Sequence, residues 1–243
     1  MIDFTPWDSL LRTYVDDQGR VDYAVWKQSS QQELQHWLNG LASTNFDAGL
    51  NSSPSSDRAI RDYQLAFWLN LYNALTIAQV LKQYPIASIQ PKVLGIPNWI
   101  AFLQFFSRPI YRLNGQALSL NAIEHSILRP QFNEPRIHFA LVCAAIGCPL
   151  LRNEAYMPAQ VQTQLEADAV RFINNPAKVR YDEQTNRLYC SKIFKWYEED
   201  FLKLALSIPD YIQTYSLNQF KLSHEISLDY LPYDWNLNQR TSS

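Results

Sequence analysis

Three of the seven histidines and cysteines in this 243-residue chain fall within sixteen positions, RIHFALVCAAIGCPLL at 136–151. His138, Cys143 and Cys148 stand there among apolar and small side chains. A thiol within reach of an imidazole can act as a nucleophile: the ring takes the thiol proton and the thiolate attacks a carbonyl carbon. Acyl transfer, or hydrolysis of an amide or ester, is the reaction class such a pair serves. The plainer reading is packing, because free cysteine is among the most buried residue types and behaves as a small hydrophobe. Cys143 lies inside an apolar run, which favours core. Cys148, between Gly147 and Pro149, sits where a turn should bring the chain to the surface. A metal site built from Cys143, Cys148 and either His125 or His138 is the weaker alternative. No second Cys or His pair follows at zinc-site spacing, and Cys190 would have to arrive from a distant hairpin. No metal is therefore expected.

The elements that carry these residues decide which of them can meet. Residues 137–143 read as a buried strand, on which Ile137, Phe139, Leu141 and Cys143 share one face and His138 the other. That parity separates His138 from Cys143, so the base should come from elsewhere, and His125 is the candidate. Asn121, followed three residues later by Glu124, has the form of a capping box and opens a short helix. His125 lies one turn beyond Asn121, while Glu124 points away as a cap. A long helix at 57–83, capped by Ser56 or Asp57 and stopped by Tyr84-Pro85, is apolar around most of its circumference and so largely buried. Asn70 and Asn73 share one of its faces. A buried amide without partners costs about 1–3 kcal/mol, so these two either brace a neighbouring loop or line a polar cavity. Asn121, Asn73 or Asp234 could orient an imidazole.

Elsewhere the chain is punctuated by helices and hairpins. Thr5 with Pro6 opens a first helix with Trp7, Leu10, Leu11 and Tyr14 inside, and a second spans 26–38. Residues 42–56 are rich in Ser, Asn, Asp and Gly and read as a loop. Trp99, Phe102, Phe105 and Phe106 form an aromatic patch. Asn114-Gly115 supplies the positive φ angles of a two-residue hairpin turn between 110–113 and 116–118. A helix follows at 158–174, a second hairpin pairs 179–182 with 187–190, and further helices lie after Ser191 and near 210–215. The aromatic tail, 225–238, should dock extended on the body. His36 and His224 have polar neighbours and read as surface residues.

Composition sets the outer limits. With 47% hydrophobic residues and 14% aromatic, the chain can bury a substantial core. A net charge of -2, with 21 basic and 23 acidic residues scattered along the sequence, gives no basic footprint for nucleic acid. Only six glycines occur, and neither nucleotide-binding glycine fingerprint is present, so no cofactor is expected. Three cysteines argue against a disulfide framework and for free thiols, with a single Cys143–Cys148 bridge as the alternative. The N-terminus lacks the features of an export signal and no apolar run is long enough to span a bilayer, so a cytoplasmic protein without membrane insertion is expected.

Five strings in order, WLNLYNALTI (68–77), LSLNAIEHSILR (118–129), IHFALVCAAIGCPLLRNEAY (137–156), SKIFKWYEEDF (191–201) and YLPYDWNLN (230–238), resemble the domain of unknown function 547. The resemblance runs from about residue 57 to 238. It implies that Asn70, Asn73, Glu124, His125, His138, Cys143, Cys148, Asp234 and Trp235 are characteristic positions, and it implies no activity. Many bacterial relatives begin with an export signal, which this chain does not show. The expected architecture is a helix-rich α+β fold with a small antiparallel or mixed sheet, for which a distantly papain-like arrangement is one form. Residues 1–56 form a helical lead-in packed on a main domain at 57–243. Two functions fit: a thiol-dependent hydrolase or acyltransferase using Cys143 or Cys148 with His125, or a non-catalytic domain that holds a small molecule or peptide in the same pocket.

Overall fold

A computed structural model of the chain describes residues 2–43, 57–218 and 226–240. The expected loop at 42–56 and His224 fall almost wholly outside them. The fold is α+β and helix-rich. Its scaffold is α4 (Arg58–Gln83), whose N-cap Asp57 accepts hydrogen bonds from the amides of Ala59 and Ile60. Every residue from Gln64 to Ile77 on α4 is buried. Ile60, expected on the buried side, is exposed in the first turn.

Among the described residues three helices precede α4. In α1 (Thr5–Tyr14), Trp7, Leu10, Leu11 and Tyr14 are buried as the pattern required, but Thr5 is the first helical residue and not the cap. The expected second helix is two, α2 (Tyr23–Ser29) and α3 (Gln31–Ala42), because Ser30 leaves helical geometry at φ -141. Trp7, Trp26 and Trp37 pack together, with centroids 5.8–6.0 Å from that of Trp7.

Among the described residues the strands form three separate small sheets. β1 (Lys92–Val93) pairs with β2 (Ile96–Pro97), and β3 (Tyr111–Leu113) with β4 (Gln116–Leu118) around Asn114-Gly115 at φ 49 and 81. β5 (Val179–Asp182) and β6 (Arg187–Ser191) form the second hairpin, and β7 (Ser227–Leu231) from the tail adds in parallel to β6. Between these lie α5 (Trp99–Ser107), α6 (Arg129–Phe132), α7 (Val161–Ile173), α8 (Ile193–Trp196), α9 (Glu198–Phe201) and α10 (Ile208–Tyr215).

The central stretch is not a strand. Pro135–Phe139 is a 3-10 helix, and the chain beyond it is irregular. Asn73 takes the place of a neighbouring strand: its Nδ2 donates to the Ala140 carbonyl at 3.0 Å and its Oδ1 accepts from the Val142 amide at 3.0 Å. Both backbone groups are thus satisfied in the interior without a ladder. One core cluster runs from Phe4 to Leu165 and includes Leu237. A second gathers Phe139 with Phe172, Phe194, Phe201 and Tyr211.

Candidate functional site

A cleft of about 460 Å³ opens between α5, residues 121–125, the central loop, residues 192–197 and the tail. Seven of the characteristic positions named above, counting Asn121, line it: Asn121, Glu124, His125, His138, Cys143, Cys148 and Trp235. Asn70 and Asn73 do not. Asn70 holds the Tyr156 backbone through both amide atoms, at 2.8 and 2.9 Å, and Asn73 holds 140–142, so both brace loops. Asp234 also points elsewhere, its carboxylate accepting from the Asn236 amide and its carbonyl from Gly147.

Glu124 and His125 ride on a π-helix, Ala122–Leu128, entered from Ser119, whose hydroxyl accepts from the Ala122 amide. The expected capping box is absent. Asn121 donates to Ser107 Oγ at 3.1 Å, and Glu124 turns inward, where Tyr72 and Tyr197 donate their hydroxyls to its two carboxylate oxygens at 3.2 and 2.5 Å. Burial, with the Glu124 charge adding to it, holds both phenols well above their ordinary range, so they stay protonated as donors. His125 sits on the rim, its Nδ1 accepting from Arg129 at 3.0 Å and its Nε2 3.9 Å from Glu124. Neither Asn121 nor Asn73 orients it.

His138 is the buried imidazole. Its Nε2 donates to Asp200 Oδ2 at 2.8 Å and its ring lies on Tyr197 with centroids 3.8 Å apart. Burial lowers its pKa, against the pull of Asp200, so the ring is neutral at physiological pH. Burial alone would raise the Asp200 carboxyl, but hydrogen bonds from His138, Arg129 and Lys203 outweigh it and hold the group well below the usual range. Tyr197 and Asp200 were legible only as one string, YEED, because Glu124, Arg129 and His138, which hold them in the cleft, lie far back in the sequence.

The cysteines correct the expectation of free thiols. Cys143 and Cys148 are joined in a disulfide, while Cys190 is free and buried, its thiol pushed up to about 12 by burial. Strand parity fails as well, since without a strand His138 and Cys143 line one cleft. The bridge spans a tight turn. Ala144 takes a left-handed backbone at φ 65, uncommon for a residue with a side chain, and a Cβ on Gly147 would meet the Tyr233 ring at 2.8 Å. The Tyr233 hydroxyl lies 3.2 Å from each sulfur. The other partner of Cys148 sulfur is the Cys143 amide, at 2.8 Å; among the described residues neither sulfur is hydrogen-bonded to an imidazole. Cys148 is buried and Cys143 half-buried at the cleft wall. Among the described residues no group of three His, Cys, Asp or Glu could hold a metal ion, and no helix is long and apolar enough to cross a membrane.

Aromatic rings make the walls. Trp235 packs against Phe102 at 4.8 Å and Tyr233 at 4.3 Å, and Trp196 stacks on Trp235 at 5.8 Å, so α5, α8 and the tail close around the polar floor. Comparison with known proteins gives one match: residues 56–173 fit the family model described as protein of unknown function, DUF547. No curated protein matches the chain, and no solved structure does.

Proposed function

We propose, for a chain that carries the DUF547 sequence and inherits no activity with it, that the cleft is a thiol-dependent acyl-transfer or hydrolytic site whose working state is the reduced Cys143–Cys148 pair. The observation that carries this reading is that His138, held by Asp200 from behind, lines the same cleft as Cys143. A carboxylate fixes one ring nitrogen of a neutral, buried imidazole and leaves Nδ1 as acceptor, the arrangement that nucleophilic catalysis uses to prepare a base. His138 therefore takes the role first expected of His125, both of whose nitrogens already face charged partners. Cys143 takes the nucleophile's role, since Cys148 is the more buried of the two.

In the proposed step a thiol reductant first opens the disulfide. The Cys143 proton passes to His138 Nδ1, sulfur bonds to the acyl carbon, and the leaving group departs with that proton. Water or an acceptor amine or alcohol then releases the acyl group. Tyr233, 3.2 Å from the sulfur, is the donor that steadies the thiolate. The substrate is a small molecule or peptide with an apolar flank that fits the aromatic walls.

Iodoacetamide labelling of the reduced protein across pH, with adducts mapped by mass spectrometry, is the test. Cys143 should alkylate fastest, already below pH 7, and His138→Asn should slow it about tenfold while leaving Cys190 unchanged. Equal, slow labelling of all three thiols rejects the reading. The bonded sulfurs, with no imidazole hydrogen-bonded to either among the described residues, favour the second reading, a binding cleft without chemistry. In that case Cys143→Ala leaves uptake of an aromatic probe unchanged and Trp235→Ala weakens it.

A further inference from the structure

The surface outside the cleft carries a feature that neither reading uses. Residues 93–107, VLGIPNWIAFLQFFS, contain no charged side chain. They form most of the β1–β2 hairpin and all of α5. One side of α5 is committed inward, with Phe105 buried and Phe102 and Phe106 in the cleft wall. The other side faces solvent: Ile100 is 71% exposed, and Trp99, Leu103 and Ile96 are exposed beside it. At the hairpin tip Leu94 is 98% exposed. It also holds a left-handed backbone at φ 51, in a turn position that Asn, Asp or Gly fill at lower cost. Folding gains nothing from a leucine there.

The charges along this part of the chain have one sign. Between Asp62 and Glu124, residues 63–123 include Lys82, Lys92, Arg108 and Arg112 and no acidic residue, although the whole chain is at -2. All four cations are exposed. Lys92 and Arg108 bound the uncharged run, and Lys82 and Arg108 border one groove beside α5. An apolar patch with a tryptophan, flanked along the chain by cations and by no carboxylate from 63 to 123, has the chemistry of an element that lies in the headgroup region of an anionic bilayer, apolar side chains entering the acyl boundary and basic ones meeting phosphates.

We propose that the β1–β2 hairpin and α5 seat this protein on an anionic phospholipid surface, peripherally and without crossing it. Because Trp99 and Leu103 belong both to the patch and to the cleft wall, the mouth of the cleft then lies at the lipid surface. The proposal stands apart from the thiol reading, and its test involves no cysteine.

Co-sedimentation of the full chain with vesicles of phosphatidylcholine alone, and of phosphatidylcholine mixed with phosphatidylglycerol, decides it. Binding to the mixed vesicles is expected, falling as salt is raised. The double variant Leu94→Asp/Ile100→Asp should weaken it at least about tenfold, and Lys92→Glu/Arg108→Glu should do likewise. All four sites are exposed, so circular dichroism should show the fold intact. Failure to bind the mixed vesicles, equal binding to both vesicle types, or binding that either double variant leaves unchanged overturns the proposal. So does a dimer in light scattering that Leu94→Asp/Ile100→Asp dissociates, which would assign the patch to a second copy of the chain.

Discussion

Lys178 donates from Nζ to the Ile146 carbonyl at 2.7 Å, within the turn that the two cysteines close, with its ammonium 5.9 Å from the Phe172 ring centre. Burial pushes its pKa down from 10.5 to about 8, with Asp234 pulling weakly the other way. Between those two values the unfolded chain binds more protons than the folded one. Stability attributable to this group therefore rises with pH from about 8 to about 10.5, and the penalty of burying the ammonium is fully present below 8. Urea unfolding of the native protein and of Lys178→Met at pH 7 and pH 10 should show the native protein gaining on the variant by on the order of 1–3 kcal/mol. A constant difference would mean that Lys178 titrates normally. At this scale the sequence exposed the right oddities and hid their partners. Asn70 and Asn73 were visible because an apolar helix has no use for amides, yet the backbone they hold lies 67–86 residues away. Glu124 had the spacing of a cap, but two tyrosine hydroxyls from distant segments claimed it. An odd number of cysteines argued for free thiols, and only the tight turn at 143–148 brings two of them into bonding range.

Helices and hairpins with strong local signals were legible, and the element that walls the cleft was not. Asp57 before an apolar run, Tyr84-Pro85 after it and Asn114-Gly115 between two short strands each act within a few residues, so their outcome does not depend on the rest of the fold. Residues 137–143 failed for the opposite reason. An apolar run of that length looks the same whether a strand neighbour or a side-chain amide satisfies its backbone. Here Asn73 plays the neighbour's part, and the loop it holds places His138 and Cys143 in one cleft. Asn73→Ala should therefore leave the Ala140 carbonyl and the Val142 amide buried and unpaired, lowering stability by about 2–4 kcal/mol in urea denaturation. Its reach should extend beyond stability, because labelling of reduced Cys143 should shift to the higher pH of an ordinary thiol as the loop loosens. A loss under about 0.5 kcal/mol would show that the loop holds its shape without the amide.

For the molecule as a whole, the 3-10 helix Pro135–Phe139 joins two apolar clusters that hydrophobic patterning alone does not tell apart. Ile137 belongs to the larger cluster around α4, and Phe139 to the smaller one around α7, α8 and α9. His138 lies between them and carries the Asp200 contact across the junction. Phe139 is nearly fully buried, with its ring centre 4.9 Å from Phe172 and 5.7 Å from Phe194 and Phe201. Truncating such a ring removes its burial and leaves a cavity, so Phe139→Ala should cost about 3–5 kcal/mol. The coupling is the sharper expectation. α9 carries both Asp200 and Phe201, so a cavity under Phe201 should displace the carboxylate that fixes His138. The variant should then unfold at lower urea and, while still folded, label Cys143 more slowly, in parallel with His138→Asn. Phe139→Leu, which keeps most of the volume, should recover both properties together. Recovery of stability without recovery of labelling would show that the two clusters are packed independently and that the cleft does not depend on their junction.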